Sequence, residues 1–238
     1  MAMSRSIVKR QKPLAVQAFD ALHRKILTLE LEPGRMLSEA SVSEMLGVSR
    51  TPAREALARL AEIGFVDVLP QRGTRVAPLR IADLEKSQFM REAIEVALLR
   101  RAMQHEDRGT LVEAMREEVL LQREHVGRGD AAALYASDER FHGLVAALGG
   151  PADLMPEILR MKDHVDRFRH VMVSGVDDLR IVVEQHAGVL EAIAEGDAAR
   201  AEALLVAHLR RILAYTDAAR ERYPDYFEAD PTRVEARR

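Results

Sequence analysis

From Ala82 onward, apolar residues recur every three to four positions, which is the period of one face of an α-helix. None of this region alternates with the two-residue period of a half-buried strand. Residues that break or cap helices divide it into amphipathic segments at 82–105, 110–127, 131–148, 152–173, 178–195 and 198–221. Such helices bury their apolar faces by packing against one another. The sequence therefore predicts an all-helical bundle of about six helices over residues 82–222.

Residues 12–78 show a different order of elements. Pro33-Gly34 and Gly47 interrupt an otherwise helical spacing, and two short β-prone runs follow. The predicted helices span 15–29, 38–47 and 50–64, and the predicted strands span 65–69 and 74–77. Helix, short helix, turn, helix and hairpin is the order of a winged helix-turn-helix. The predicted fold class is thus mainly α, with a winged helix-turn-helix domain before the bundle.

Three short segments lie outside these two domains. Residues 1–11 carry basic side chains without apolar periodicity, so we expect a flexible basic tail. Residues 79–81 follow Pro78 and are predicted to form a linker. Residues 223–238 contain two prolines and many charged residues, and we expect them to form a flexible C-terminal tail.

Charge is distributed unevenly along the chain. Residues 1–80 carry 13 Lys/Arg against 8 Asp/Glu, a balance of +5, whereas the remaining 22 Lys/Arg and 30 Asp/Glu give −8. A basic unit attracts a polyanion and an acidic unit repels one. Any contact with nucleic acid is therefore expected in the first third of the chain.

Composition excludes some classes of site and of location. The chain has no cysteine, so a metal ion would be held by nitrogen and oxygen ligands alone. It has no run of about 18 apolar residues and no apolar core of a signal peptide near the N-terminus. We expect a cytoplasmic protein without a membrane partner.

The two places where a winged helix-turn-helix meets DNA both carry donor side chains. The first turn of the third helix enters the major groove in this fold, where arginine can bind guanine and short hydroxyl side chains can bind phosphate. Glycine at the tip of the wing lets the backbone approach the duplex. The predicted DNA-binding residues are Ser49, Arg50, Thr51 and Arg54 in the helix and Arg72, Gly73 and Arg75 in the wing. A single exposed arginine is usually only a solvated surface residue, but these cluster where the geometry requires them.

Four polar residues occupy positions where the bundle helices call for apolar ones. They are Asp138 and His142 in the third segment of the bundle, His186 in the fifth and His208 in the sixth. One inward histidine is more often a hydrogen-bonded core residue than a ligand. A carboxylate and three imidazoles on three helices are costly to bury unless a divalent metal satisfies them together. This ligand set suits Zn, Ni, Fe or Mn and leaves coordination positions open.

The N-terminal residues resemble the DNA-binding domain of GntR-type bacterial regulators. The resemblance covers about residues 13–78 and rests on Leu37-Ser38-Glu39, Leu46 to Pro52, Arg54 to Leu57, Leu60, Gly64 to Val66 and Arg72-Gly73. It implies that Arg50 and Arg54 are the main recognition residues and that Gly73 is the wing contact. Many members of the FadR branch have an arginine where this sequence has Ala40, so one DNA contact implied by the family is missing.

About residues 82–217 resemble the helical FCD effector domain of the FadR branch. Asp138-x-x-x-His142, His186 and His208 match its metal-ligand pattern, and Arg91 to Glu95 resembles the signature of its first helix. The resemblance implies a pocket beside the metal that accepts carboxylates or sugar acids. Arg91 is then either a carboxylate clamp or a surface or dimer residue, and Arg140, Arg167 and Arg169 are further candidates for binding the effector. The family often has an asparagine near Gly149-Gly150, and its absence leaves the orientation of the ligand open.

Together these features predict a ligand-responsive regulator. It would bind a pseudo-palindromic double-stranded DNA operator as a homodimer and would act as a repressor that its effector releases. An alternative is a metal-dependent hydrolase or lyase fused to a DNA-binding head, although Glu139 and Glu184 are predicted to lie off the metal face. A third interpretation is a structural metal without an effector.

Overall fold

A computed structural model describes residues 12–151, 154–172 and 176–228. The chain divides into two compact units. Unit 1 comprises Met1–Leu79 together with Asp225–Arg238, and unit 2 comprises Arg80–Pro224. The predicted N-terminal tail, residues 1–11, lies outside the described residues.

Unit 1 has three helices and a small antiparallel sheet. Its elements are α1 (Leu14–Leu27), β1 (Met36–Leu37), α2 (Glu39–Leu46), α3 (Arg50–Glu62), β2 (Val66–Leu69) and β3 (Gly73–Val76). The strand order is β1-β3-β2, with Asp67 opposite Arg75. This confirms the predicted winged helix-turn-helix architecture. The sequence did not predict β1, because a strand of two residues has too few positions to show an alternating pattern.

Local sequence explains where α2 begins and ends before the chain continues into α3. Ser38 and Ser41 form a reciprocal capping box, in which each side chain accepts a hydrogen bond from the other's backbone N–H. Gly47 ends α2 with φ of 64°, a left-handed conformation that costs glycine little. Leu60 and Phe65 are fully buried in the core beneath these helices. The first turn of α3 is thereby held on a rigid support.

Every regular element in the described residues of unit 2 is a helix. Its helices are α4 (Ile81–Met103), α5 (Arg108–Arg128), α6 (Ala131–Gly149), α7 (Met155–Met172), α8 (Val176–Glu195), α9 (Ala198–Arg210) and α10 (Thr216–Arg222). The segment predicted as one helix over 198–221 is instead interrupted by a 3-10 turn at Arg211–Tyr215. Apolar spacing does not separate the two helix types, since both bring residues three apart onto one side. In that turn, Tyr215 Oη donates to Asp178 Oδ1 over 2.9 Å.

Helices α6 and α9 of unit 2 begin at side-chain caps, and α4 and α6 approach each other closely at one point. Asp130 accepts a hydrogen bond from the backbone N–H of Ala133, and Asp197 accepts one from Arg200. A Cβ added to Gly149 would lie 2.1 Å from the carbonyl oxygen of Leu98, so α4 and α6 touch through backbone atoms there. In the described part of the chain, no helix combines the length and apolar content needed to cross a bilayer.

Residues 224–228 depart from the expected flexible tail. The backbone N–H of Leu79 donates to Tyr226 over 2.7 Å, and the N–H of Glu228 donates to Leu79 over 3.0 Å. The side chains of Leu79 and Phe227 are only 2% and 8% exposed, so burial of apolar surface holds the segment. Leu79, which was expected to lie in a linker, is therefore a paired and buried residue. The rest of the predicted tail, 229–238, lies outside the described residues.

Candidate functional site

The four polar residues predicted to be metal ligands lie together in unit 2. Asp138 and His142 are one turn apart on α6, and His186 and His208 come from α8 and α9. All four are buried, and each offers one ligand atom such that these atoms lie within 4.8 Å of one another. His186 Nε2 is 3.2 Å from His208 Nε2 and 3.6 Å from Asp138 Oδ1. Helices distant in sequence thus converge on one small polar centre, which we call the Asp-His cluster.

Two atoms of the Asp-His cluster are buried without a hydrogen-bond partner. They are Asp138 Oδ1 and His142 Nε2, which lie 4.0 Å apart. A buried polar atom left unpaired costs about 1–3 kcal/mol, so a native protein rarely keeps two together without a reason. Ligands around one ion at about 2.1 Å lie about 3–4 Å from each other, which matches these separations. The donor set and its unpaired atoms therefore fit a divalent metal ion.

Each histidine of the cluster uses its Nδ1 to bind a side-chain oxygen outside the cluster. Donation from Nδ1–H leaves the Nε2 lone pair for a metal and fixes the orientation of the ring. The pairs are His142 with Glu95 Oε2 at 2.6 Å, His186 with Gln122 Oε1 at 2.8 Å and His208 with Gln185 Oε1 at 3.2 Å. These partners allow each imidazole to donate from Nδ1 and to offer Nε2 to a metal.

The electrostatics of the cluster favour the protonation states of metal ligands. Burial raises the pKa of Asp138, but Arg169 and other nearby cations outweigh it and hold that pKa well below its usual value. Arg169 Nη1 donates to Asp138 Oδ2 over 2.8 Å. Burial lowers the pKa of His186 to about 3, and it also lowers the pKa of His208 well below its usual value. Ionised Asp138 and neutral His186 and His208 can bind a metal without first releasing protons.

A small cavity of about 30 Å³ adjoins the cluster, with His208 in its wall. Arg91 and Arg169, two of the predicted effector-binding residues, also line it, as does Arg211. Arg91 is only 2% exposed; its Nε donates to Glu95 Oε1 over 2.6 Å, while its Nη2 has no partner. A buried guanidinium nitrogen with an unused donor can bind a carboxylate oxygen. The donors that line it therefore suit an oxygen atom of a small anion.

Two other predicted arginines do not line this cavity. Arg140 bonds to Glu118 through Nε over 2.9 Å, its side chain is 52% exposed, and it borders a separate pocket between α5, α6 and α7. Arg167 is buried on α7. Neither is among the described residues that line the cavity beside the cluster.

Sequence reasoning missed several residues that complete the site. Glu95, Gln122 and Gln185 bind the three imidazoles, and Asp178 with Tyr215 lines the cavity. The spacing of Glu95 four residues after Arg91 was a usable signal, since it places both on one helix face. The two acidic residues expected off the metal face, Glu139 and Glu184, are exposed and pair with Lys162 and Arg123.

The predicted DNA-binding residues of α3 lie at the surface of unit 1. Ser49 precedes the helix as its N-cap residue, and Arg50, Thr51 and Arg54 are exposed on its first turns. Arg54 binds Glu39 of α2 through two hydrogen bonds, at 2.6 and 3.1 Å. Glu39 thus holds the guanidinium in place, and a DNA contact by Arg54 would have to exchange this partner or share it. Ala40, next to Glu39, is exposed and offers no donor of its own.

The wing is the hairpin between β2 and β3. Arg72 and Gly73 are exposed there, and Gly73 has φ of 99°, which favours glycine over residues with a Cβ. Arg75 lies opposite Asp67 and donates to it over 2.8 Å, so it is partly buried and engaged within the sheet. Of the three predicted wing residues, Arg72 and Gly73 are therefore the ones exposed at the surface.

Two protein-family profiles match the chain. The profile for bacterial regulatory proteins of the gntR family matches residues 14–76, and the profile for the FCD domain matches residues 88–211. The first covers the helices and wing of unit 1. The second covers the Asp-His cluster and Arg91.

Several curated proteins are similar over most of their length. An uncharacterized HTH-type transcriptional regulator in an unstable DNA locus of Streptomyces ambofaciens is 35% identical over 222 residues, 91% of each chain. The Escherichia coli HTH-type transcriptional repressor RspR is 29% identical, covering 92% of this chain and 96% of its own. A probable D-xylose utilization operon transcriptional repressor from Paenarthrobacter nicotinovorans is also 29% identical, over 81% of this chain and 86% of its own.

Solved structures show the same fold. The E. coli protein McbR/YncC has a TM-score of 0.70 at 19% identity and covers 90% of this chain and 100% of its own. A GntR-type regulator from Rhodococcus sp. RHA1 has a TM-score of 0.67 at 24% identity, with 84% and 97% covered. At these identities the likeness concerns the fold alone.

Proposed function

Because the chain belongs to the gntR family of bacterial regulatory proteins and carries an FCD domain, we propose that it is a repressor whose hold on DNA is controlled by a small anionic effector. It is a DNA-binding transcriptional regulator and not an enzyme. Relatives at 29% identity include proteins described as transcriptional repressors. The repressor, operator and effector assignments are proposals for this chain.

The proposed DNA interface consists of the first turn of α3 and the tip of the wing. Exposed Arg50 and Thr51 support contact with the major groove, and exposed Arg72 supports contact beside the wing. The basic balance of +5 in residues 1–80 adds attraction to phosphate. Two copies related by a two-fold axis would read a pseudo-palindromic operator. Such a protein acts where the chromosome is, in the bacterial cytoplasm.

The proposed effector site is the cavity lined by Arg91 and Arg169. The observation that carries this proposal is that Arg91, whose Nη2 is buried and unpaired, lines a cavity that also borders His208. Asp138, His142, His186 and His208 would hold a divalent metal such as Zn, Ni, Fe or Mn. A metal held there would act as a Lewis acid toward an oxygen atom of the effector. A carboxylate or sugar acid can offer one oxygen atom to Arg91 and another to the metal.

Chain connectivity suggests how the effector reaches the DNA-binding unit. Helix α4 begins at Ile81, two residues after unit 1 ends at Leu79, and the same helix carries Arg91 and Glu95. An effector that favours one position of α4 therefore acts on the helix that leaves unit 1. Coupling of about 1–3 kcal/mol would change operator affinity by roughly 5–150-fold.

The first experiment identifies the operator and then the effector. Genomic fragments retained by the full-length protein are sequenced, and binding to the recovered site is followed by fluorescence anisotropy with Zn²⁺ and with lactate, succinate or gluconate. We expect at least one acid to weaken binding by roughly 5–150-fold in the metal-loaded protein only. Retention of fragments without a shared motif would contradict the operator proposal.

The second experiment separates a sensor from a structural metal site. The melting temperature of the zinc-loaded protein is followed while the same acids are titrated. A specific ligand raises it with dose, because binding to the native state stabilises that state. A melting temperature that rises with zinc but with none of the acids would favour a structural metal.

A further inference from the structure

One buried carboxylate joins the effector cavity to the Asp-His cluster. Glu95 lies on α4, and its two oxygens bind two different partners at 2.6 Å: Oε1 accepts from Arg91 Nε, and Oε2 accepts from His142 Nδ1. All three side chains are buried. Each bond involves an ionised carboxylate away from water, so both bonds are strong. Arg91 and His142 compete for the negative charge of this one carboxylate.

The two ends of this chain of bonds have unused hydrogen-bonding capacity. At one end, Arg91 Nη2 has no partner, and Arg91 lines the cavity. At the other end, His142 Nε2 has no partner and belongs to the cluster. A ligand at either end therefore acts on Glu95 through a single side chain.

We propose that Glu95 is a positioning residue that couples occupancy of the cavity to the affinity of the Asp-His cluster for its metal. The proposal rests on the metal and effector sites proposed above and adds the route between them. A cation at Nε2 makes the Nδ1–H of His142 a stronger donor, which draws charge on Glu95 toward His142. The hold of Glu95 on Arg91 weakens, so Arg91 binds an anion more tightly. By linkage, the anion strengthens metal binding by the same factor.

The support of His186 lacks this connection. Gln122 binds His186 Nδ1 through its oxygen, and its amide nitrogen has no partner, so that branch ends at Gln122. It is neutral and buried, as a matched control requires. Replacing Gln122 removes the side chain that orients His186, just as replacing Glu95 removes the one that orients His142. It leaves the hydrogen bonds from Arg91 to His142 intact.

The test is a mutant cycle that needs no identified effector. Zn²⁺ affinity is measured by competition with a chromophoric chelator in the full-length protein and in Glu95→Gln, Gln122→Leu and Arg91→Met, with Arg91→Met also combined with each of the first two. Both support variants should bind zinc about 10–100-fold more weakly. Arg91→Met should tighten zinc binding by about 3–10-fold, because Glu95 then serves His142 alone.

Comparing the effect of Arg91→Met in the unsubstituted, Gln122→Leu and Glu95→Gln proteins distinguishes a path through Glu95 from direct repulsion between Arg91 and the metal. We expect the effect of Arg91→Met to persist in Gln122→Leu and to vanish in Glu95→Gln. An equal effect in all three backgrounds would overturn the proposal, because direct repulsion between Arg91 and the metal does not need Glu95. If the unsubstituted protein binds zinc but the effect is equal in all backgrounds, only the coupling through Glu95 is contradicted. If the unsubstituted protein binds no zinc, the proposed metal site is contradicted as well.

The Glu95→Gln variant leaves Arg91 buried beside a neutral side chain and could fail to fold. A spectroscopic measurement tests the proposal without that variant. The Nδ1–H resonances of the zinc-loaded protein are recorded by NMR in the unsubstituted chain and in Arg91→Met. The resonance of His142 should move while those of His186 and His208 stay in place. No movement of the His142 resonance would contradict the proposed path.

Discussion

Arg50 is exposed on the first turn of α3, where the proposed operator contact is made. Arg50→Ala should reduce affinity for the recovered operator by roughly 5–150-fold, since a bidentate contact to guanine contributes about 1–3 kcal/mol. Anisotropy with specific and scrambled duplexes measures the effect. The control is Arg128→Ala, which removes an exposed arginine from unit 2, where it pairs with Glu124. Unchanged operator affinity in Arg50→Ala would remove it from the recognition surface.

His208 belongs to the cluster and also lines the cavity. Replacing it should therefore lower the amount of bound metal. We expect His208→Ala to weaken zinc binding by more than about 100-fold, because even a residue behind a ligand contributes about 10–100-fold. Metal content after dialysis against limiting zinc gives the measurement. His170→Ala is the matched control, since His170 binds the backbone of Asp166 outside the cluster. Equal metal content in the two variants would contradict the ligand set.

The ligands of the cluster could be predicted from sequence, but their supports could not. Asp138 and His142 break an apolar helical pattern at a spacing of four, which is a local signal. Gln122 and Gln185 carry no such signal, because an amide on a helix is as easily a solvated residue as a buried one. Which oxygen meets which imidazole depends on how α5 and α8 pack, and that is information from tertiary structure.

At the scale of elements, the contact between α4 and α6 depends on Gly149. Gly149→Ala would place a Cβ 2.1 Å from the carbonyl oxygen of Leu98, which must move the helices apart. We expect a loss of about 1–3 kcal/mol in the free energy of unfolding, measured by chemical denaturation. Gly127→Ala, in a helical position with no atom within 4 Å, should instead stabilise by about 0.5–1 kcal/mol. Equal stability of the two variants would mean that the close approach does not constrain the bundle.

Helices were predicted more reliably than their interruptions. Long amphipathic segments such as α5 and α6 follow from spacing alone, since burial of one face decides their structure. The 3-10 turn at Arg211–Tyr215 was not predicted, because hydrogen bonds from its side chains to Asp178 depend on a different helix. The same turn shapes the wall of the cavity. The local irregularity and the proposed effector site thus coincide where sequence patterns are weakest.

At the scale of the whole molecule, the two units should respond differently to salt. If the DNA interface neutralises about six to ten phosphates, raising salt from about 50 to 200 mM should lower operator affinity by about 10³–10⁵-fold. Zinc affinity should change by less than about threefold over this range, because salt screens buried charges little. Anisotropy and chelator competition in the same buffers compare the two. An operator affinity independent of salt would contradict a phosphate-binding surface on unit 1.

The pairing of Leu79 with Phe227 has a consequence for how the protein can be cut into parts. Unit 1 is assembled from two stretches of chain, and unit 2 is inserted between them. A truncation after Leu79, the natural choice for isolating a DNA-binding fragment, discards Tyr226 and Glu228, the backbone partners of this buried residue. A self-sufficient fragment should instead have residues 226–228 rejoined to Leu79 by a short glycine-rich linker, with the bundle excised between them.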